Sequence, residues 1–151
     1  MLKKWNNKKL LKNEKGLTLI ELLAVIVILA IISAIAVPAI GNIIENTRYN
    51  AAKADAVNVL NAANLYFTDE PDETSVTLEK LKSEKYLDHA GKLEKATTVS
   101  VTKASPNKIS ATNVPFSGTK TVSFNEATLE SINADNQKGS NSPKSIGGTT
   151  K

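Results

Sequence analysis

The chain has 151 residues, a net charge of +4 and 41% apolar residues, enough for one compact domain plus extras. It contains no cysteine and one histidine, which excludes disulfides, thiolate metal sites, cysteine nucleophiles and a histidine metal cluster within one chain. Six lysines against Glu14 give residues 1–16 a charge of +5, so the rest of the chain carries −1. The basic pI is therefore no argument for nucleic-acid binding.

Residues 1–16, "MLKKWNNKKLLKNEKG", are basic and end in Gly16. A lysine cluster before an apolar run is the positive-inside signal, which places the N-terminus in the cytoplasm and the remainder outside. The other reading is the n-region of a secretory signal peptide. From Leu22 to Ile40 there is no charge, and Ser33 is the only polar side chain. As a helix this run is about 29 Å long, close to a bilayer's hydrocarbon thickness and too long for a typical signal-peptide core. A conventional cleavage site could be drawn at Ala34-Ile35-Ala36, but Pro38 would then lie beside the cut.

Beyond Gly41 the helical pattern continues. Tyr49, Ala52, Ala56, Val59, Ala63 and Tyr66 recur at spacings of three and four, a narrow stripe of mostly small residues suited to close packing on a sheet. One helix of about 50 residues is expected from Leu17 to Phe67. Asp69-Glu70-Pro71-Asp72 ends it. "TLEKLKSEKYL" (77–87) reads as a short helix capped by Thr77. "TTVSVTK" (97–103), "KISATNV" (108–114) and "KTVSF" (120–124) read as antiparallel strands, and "ATLESI" (127–132) as a fourth strand or a helical turn. Residues 133–151 are polar and Gly/Ser-rich and read as a flexible tail. The expected fold is α+β, a long N-terminal helix on a small antiparallel sheet of three to four strands. The expected division is a leader over 1–16, a hydrophobic helix over 17–41, a soluble headgroup over 42–132 and the tail over 133–151.

The stretch "KGLTLIELL", with Gly16, Leu17, Thr18 and Glu21 ahead of the apolar run, resembles the class III signal of type IV pilins and pseudopilins. Pro38 falls where that family bends its helix. The absence of cysteine departs from many Gram-negative pilins, whose C-terminal loop is closed by a disulfide, and fits Gram-positive pilins better. The resemblance implies cleavage between Gly16 and Leu17 by a membrane prepilin peptidase, then N-methylation at Leu17. The family's usual residue there is Phe. It also implies a homopolymer of pilin subunits raised by an inner-membrane assembly platform and its ATPase, with nucleic acid engaged only through the assembled fibre. The subunit would be a single-pass membrane protein surrounded by lipid before assembly, and part of a cell-surface or envelope-spanning fibre afterwards.

The residue types fit these roles. Gly16 has no side chain, so a protease can approach its carbonyl. A carboxylate at Glu21 costs about 2.5–3.5 kcal/mol at mid-membrane, so it needs a partner or a shallow position. By resemblance its partner is the Leu17 amine of an adjacent subunit, an ion pair that sets axial register. Pro38 removes an amide donor and crowds the carbonyl of Ala34, with Gly41 close behind, so the helix can bend or locally melt there.

No catalytic set, cofactor loop or metal-ligand spacing is visible, so no enzyme, cofactor or metal is expected. His89 reads as a solvated loop residue, and the acidic group Asp69, Glu70, Asp72 and Glu73 as a solvated loop whose spacing does not match an EF-hand. Tyr49, Tyr66 and Tyr86 are expected in the core or an interface. Two rival readings stand: a competence or secretion pseudopilin forming a short fibre for DNA uptake or export, and a single-pass or secreted domain that never polymerises.

Overall fold

The computed structural model describes residues 6–141 and 144–148. The chain divides into two compact units, Met1–Gly41 and Asn42–Lys151. Helix α1 runs from Asn6 to Asp69, longer at its start than the expected Leu17–Phe67. Of the expected leader, residues 1–5 lie outside the described residues.

In the second unit the helical stripe is the core face. Tyr49, Ala52, Ala56, Val59, Ala63 and Tyr66 are all fully buried. They pack on a five-stranded sheet of order β1-β2-β3-β4-β5, formed by Ser75–Thr77, Thr98–Thr102, Lys108–Ser117, Lys120–Ala127 and Lys144–Gly147. The first four strands are antiparallel to their neighbours, and β5 runs parallel to β4. The sheet is thus larger than the three to four antiparallel strands expected. Its inner face carries Val99 and Val101, then Ile109, Ala111, Val114 and Phe116, then Val122 and Phe124. Small residues on the helix against large ones on the sheet let the two layers interdigitate. Tyr49 meets Phe116 edge to face, with ring centroids 5.2 Å apart.

Sequence patterning breaks β3 at Pro115, yet the strand continues to Ser117. Strand β2 pairs only as far as Thr112, so the missing amide of Pro115 breaks no ladder bond on that side. Register shifts interrupt the β3–β4 pairing, and Asn113 and Glu126 have positive φ. The ladder gives way there, and the amides of Asn113 and Glu126 donate instead to the hydroxyls of Ser123 and Ser110.

Between β1 and β2 lie helix α2 (Leu78–Ser83) and a 3-10 turn (Gly91–Lys95). Thr77 caps α2 as expected, its hydroxyl accepting from the Lys80 amide. Gly91 has φ +57°, and a Cβ there would lie 2.3 Å from Asp55 Oδ2. That carboxylate accepts the Lys92 amide at 2.8 Å, tying the turn to α1. Gly91→Ala therefore meets both a strained dihedral and a displaced acceptor. The expected loss is about 1–3 kcal/mol, read as a lower denaturant midpoint of the detergent-solubilised chain.

"ATLESI" resolves into the end of β4 and helix α3 (Leu129–Ala134), closed by a reciprocal Thr128–Ser131 capping box. The flexible-tail expectation for 133–151 is corrected here. Strand β5 adds to the sheet edge within it, and Ile146 is 3% exposed. One buried side chain plus a strand's worth of backbone pairing is an anchor that overall polarity conceals. Residues 142–143 and 149–151 of that segment lie outside the described residues.

Candidate processing and assembly segment

In the first unit α1 is helical through Gly16, Leu17, Thr18 and Glu21. The Thr18 hydroxyl donates to the Lys15 carbonyl at 3.1 Å, closing one turn across Gly16. Among the described residues nothing lies within 4 Å of where a Cβ on Gly16 would stand, and its φ is not positive. Neither packing among the described residues nor backbone geometry requires glycine there, although glycine costs a helix about 1 kcal/mol relative to alanine. A protease needs an extended strand, and glycine is a residue at which a helix unwinds cheaply.

Leu17 and Glu21 are four residues apart, one above the other on one helix face and about 6 Å apart along the axis. Glu21 is exposed and makes no ion pair among the described residues. Every large apolar side chain from Leu17 to Ile44 is exposed, from 45% at Ile44 to 71% at Ile35. This part of α1 is long and apolar enough to cross a membrane. Water-exposed apolar surface of this extent has to be covered, by lipid or by protein. The helix continues through Pro38 and Gly41 without interruption, so the bend expected at Pro38 is not a break in helical structure. Among the described residues a Cβ on Gly41 would also meet nothing within 4 Å.

The first headgroup turns of α1 hold a polar arrangement that sequence reading missed. Lys120 Nζ donates to Glu45 Oε2 at 2.7 Å and to the Ser140 carbonyl at 2.9 Å. The Tyr49 hydroxyl donates to Asp135 Oδ2 at 2.7 Å. Lys53 Nζ donates to the Asp135 carbonyl at 2.8 Å and lies 3.4 Å from Oδ2. Gly139 fits against the Glu45 carbonyl so closely that a Cβ would come within 2.3 Å of it. In a chain without cysteine, these contacts fasten the segment after α3 to α1. The one sequence cue was the Thr128–Ser131 cap spacing, which marks α3 but not the residue that follows it.

Burial by itself would raise the pKa of Asp135. Hydrogen bonds from Tyr49 and Gln137 and the Lys53 charge outweigh it and hold the carboxyl below its usual value. A depressed folded-state pKa contributes stability that is present above the unfolded value and lost as pH falls through the folded one. Below about pH 4, the ordinary aspartate range, the wild-type chain is therefore expected to lose stability that Asp135→Asn lacks at every pH. Denaturant midpoints of both chains between neutral and acid pH test this, and parallel curves would contradict it. The same contact, after burial, pushes the Tyr49 phenol up.

The remaining candidates are ordinary. The His89 side chain is 89% exposed, 3.8 Å from Glu94. Asp69 accepts from the Tyr86 hydroxyl, and Glu73 pairs with Lys80. Tyr49 and Tyr66 lie in the core, with Tyr86 packed edge to face on Tyr66.

Comparison with curated proteins and with solved structures finds no match. One family model matches, the prokaryotic N-terminal methylation motif, over residues 11–37. The match spans Gly16, Leu17, Thr18 and Glu21 and most of the exposed apolar run. Over residues 11–37 this chain carries the prokaryotic N-terminal methylation motif, the class III signal of type IV pilins and pseudopilins.

Proposed function

We propose that this chain is a prepilin, the structural subunit of a type IV pilus-like helical filament. Prepilin peptidase removes residues 1–16 by cutting between Gly16 and Leu17, and the new Leu17 amine is methylated. Subunits wait in the membrane with their headgroups outside, then polymerise through α1. Glu21 of one subunit neutralises the Leu17 amine of the next, and Thr18 lies within the same contact. Pro38 and Gly41 let the helix adapt to its neighbours. The chain is the substrate of an enzyme and not itself one. Its partners are other copies, the peptidase, and the assembly platform with its ATPase.

The observation that carries this reading is the methylation motif on a helix whose apolar side chains are uncovered from Leu17 to Ile44. The headgroup core, by contrast, is complete without them. Electron microscopy of sheared cell surfaces, with mass spectrometry of the fibres, tests it. Fibres built mainly of this chain are expected. Cells that process the chain but never show it in a fibre would contradict it.

A further inference from the structure

Residues 42–151 hold thirteen Lys and Arg and thirteen Asp and Glu, so the headgroup as a whole is neutral. At the first turn after the apolar run the charges are not balanced. Glu45 is the first charged residue after Glu21, which leaves Leu22–Ile44 free of charge. Two loops converge on that turn. The β3–β4 turn brings Lys120 onto Glu45, and its Ser117 hydroxyl lies 3.4 Å from Arg48 Nη1. The turn from Lys138 to Asn141, closed by the Asn141 amide on the Lys138 carbonyl, rests on α1 through Gly139. Arg48 and Lys138 are exposed, and Lys120 is half-buried. Among the described residues, Arg48 and Lys120 thus stand beside the Glu45 carboxylate and Lys138 lies on the turn that rests next to it, a local excess of +2, while the nearby Lys53 and Asp135 cancel each other.

We propose that Arg48, Lys120 and Lys138 form a basic collar that docks on anionic phospholipid headgroups. This rests on the membrane-anchored form proposed above. The 23 charge-free residues Leu22–Ile44 extend about 34 Å as a helix, slightly more than the roughly 30 Å of hydrocarbon in a bilayer. By chain continuity, residues 45–48 emerge at the level of the lipid phosphates. Arg48 offers a forked donor to a phosphate diester, and the lysines offer mobile ammonium groups. The field of an anionic surface fades within a Debye length, about 10 Å, so only cations beside the emerging turn feel it strongly. The collar holds the headgroup down on the membrane and releases it when the helix leaves the bilayer.

Since the chain lacks cysteine, Thr119→Cys at the exposed β3–β4 tip gives one labelling position. A fluorophore there is read against a headgroup quencher, with the full chain in nanodiscs of phosphatidylcholine alone or with about 30% phosphatidylglycerol. Phosphatidylglycerol is expected to raise the docked-to-undocked ratio. Arg48→Gln and Lys138→Gln should each lower that ratio about fivefold, and raised salt should do the same. Lys95→Gln, away from the collar, should leave it unchanged. A ratio indifferent to phosphatidylglycerol, or to both collar substitutions, in chains that have inserted would overturn the collar alone. Failure of the chain to insert would overturn the membrane-anchored form on which it rests.

Discussion

Glu21→Ala is expected to abolish filaments while leaving membrane insertion and leader removal intact. Removing a carboxylate from an apolar helix lowers the cost of insertion, by about 2.5–3.5 kcal/mol at mid-depth. The side chain is exposed, and no ion pair within the described chain depends on it. The fold of the headgroup, whose core starts at Tyr49, has no reason to respond. The proposed loss lies between subunits. In a dry helical bundle, an amine at Leu17 without its carboxylate is a buried unpaired charge, which costs several kcal/mol for each subunit added. Glu21→Asp keeps the charge but shortens its reach, and partial fibre yield is expected. Yield of sheared fibres, alongside the intact mass of the membrane form, measures both halves. Filaments of normal length and number from Glu21→Ala would sink the ion-pair account.

Gly16→Val is expected to leave the precursor folded and membrane-bound but uncut, with more than about tenfold less mature product. Among the described residues nothing lies within 4 Å of the new Cβ, so no clash with them accounts for a loss of product. Valine bulk beside the scissile carbonyl obstructs the enzyme, and leaving glycine makes the helix harder to unwind. Gly16→Ala separates these effects. Alanine adds only a methyl group, yet strengthens the helix by about 1 kcal/mol, so slowed but measurable cutting is expected. Immunoblots of precursor and product over time give the comparison. Unchanged cutting of Gly16→Val would remove Gly16 from the site.

The parts of the fold governed by local rules were legible in the residues. The spacing of Tyr49, Ala52, Ala56, Val59, Ala63 and Tyr66 marked the buried face of α1 because helical periodicity alone decides which side chains share a face. Thr77 announced α2 because an N-cap bonds within three residues. Strand β5 was not legible. Its pairing with β4 is parallel and non-local, and Ile146 is a lone apolar residue in a polar stretch. Nor could the residues disclose that Asp135 meets Tyr49 and Lys53 across more than eighty positions of chain. The motif around Gly16 and Glu21 was legible for the opposite reason. Gly16 and Glu21, inside the methylation motif matched over residues 11–37, stand out as exceptions to helix and membrane rules rather than as consequences of them.

Loss of the basic leader followed by assembly, as proposed for this chain, is read in the intact mass of the subunit in sheared surface fibres. A single species beginning at Leu17, heavier by one methyl group, is expected. A fibre or surface form beginning at Met1, or at Val37 after ordinary signal-peptide cleavage, would contradict it.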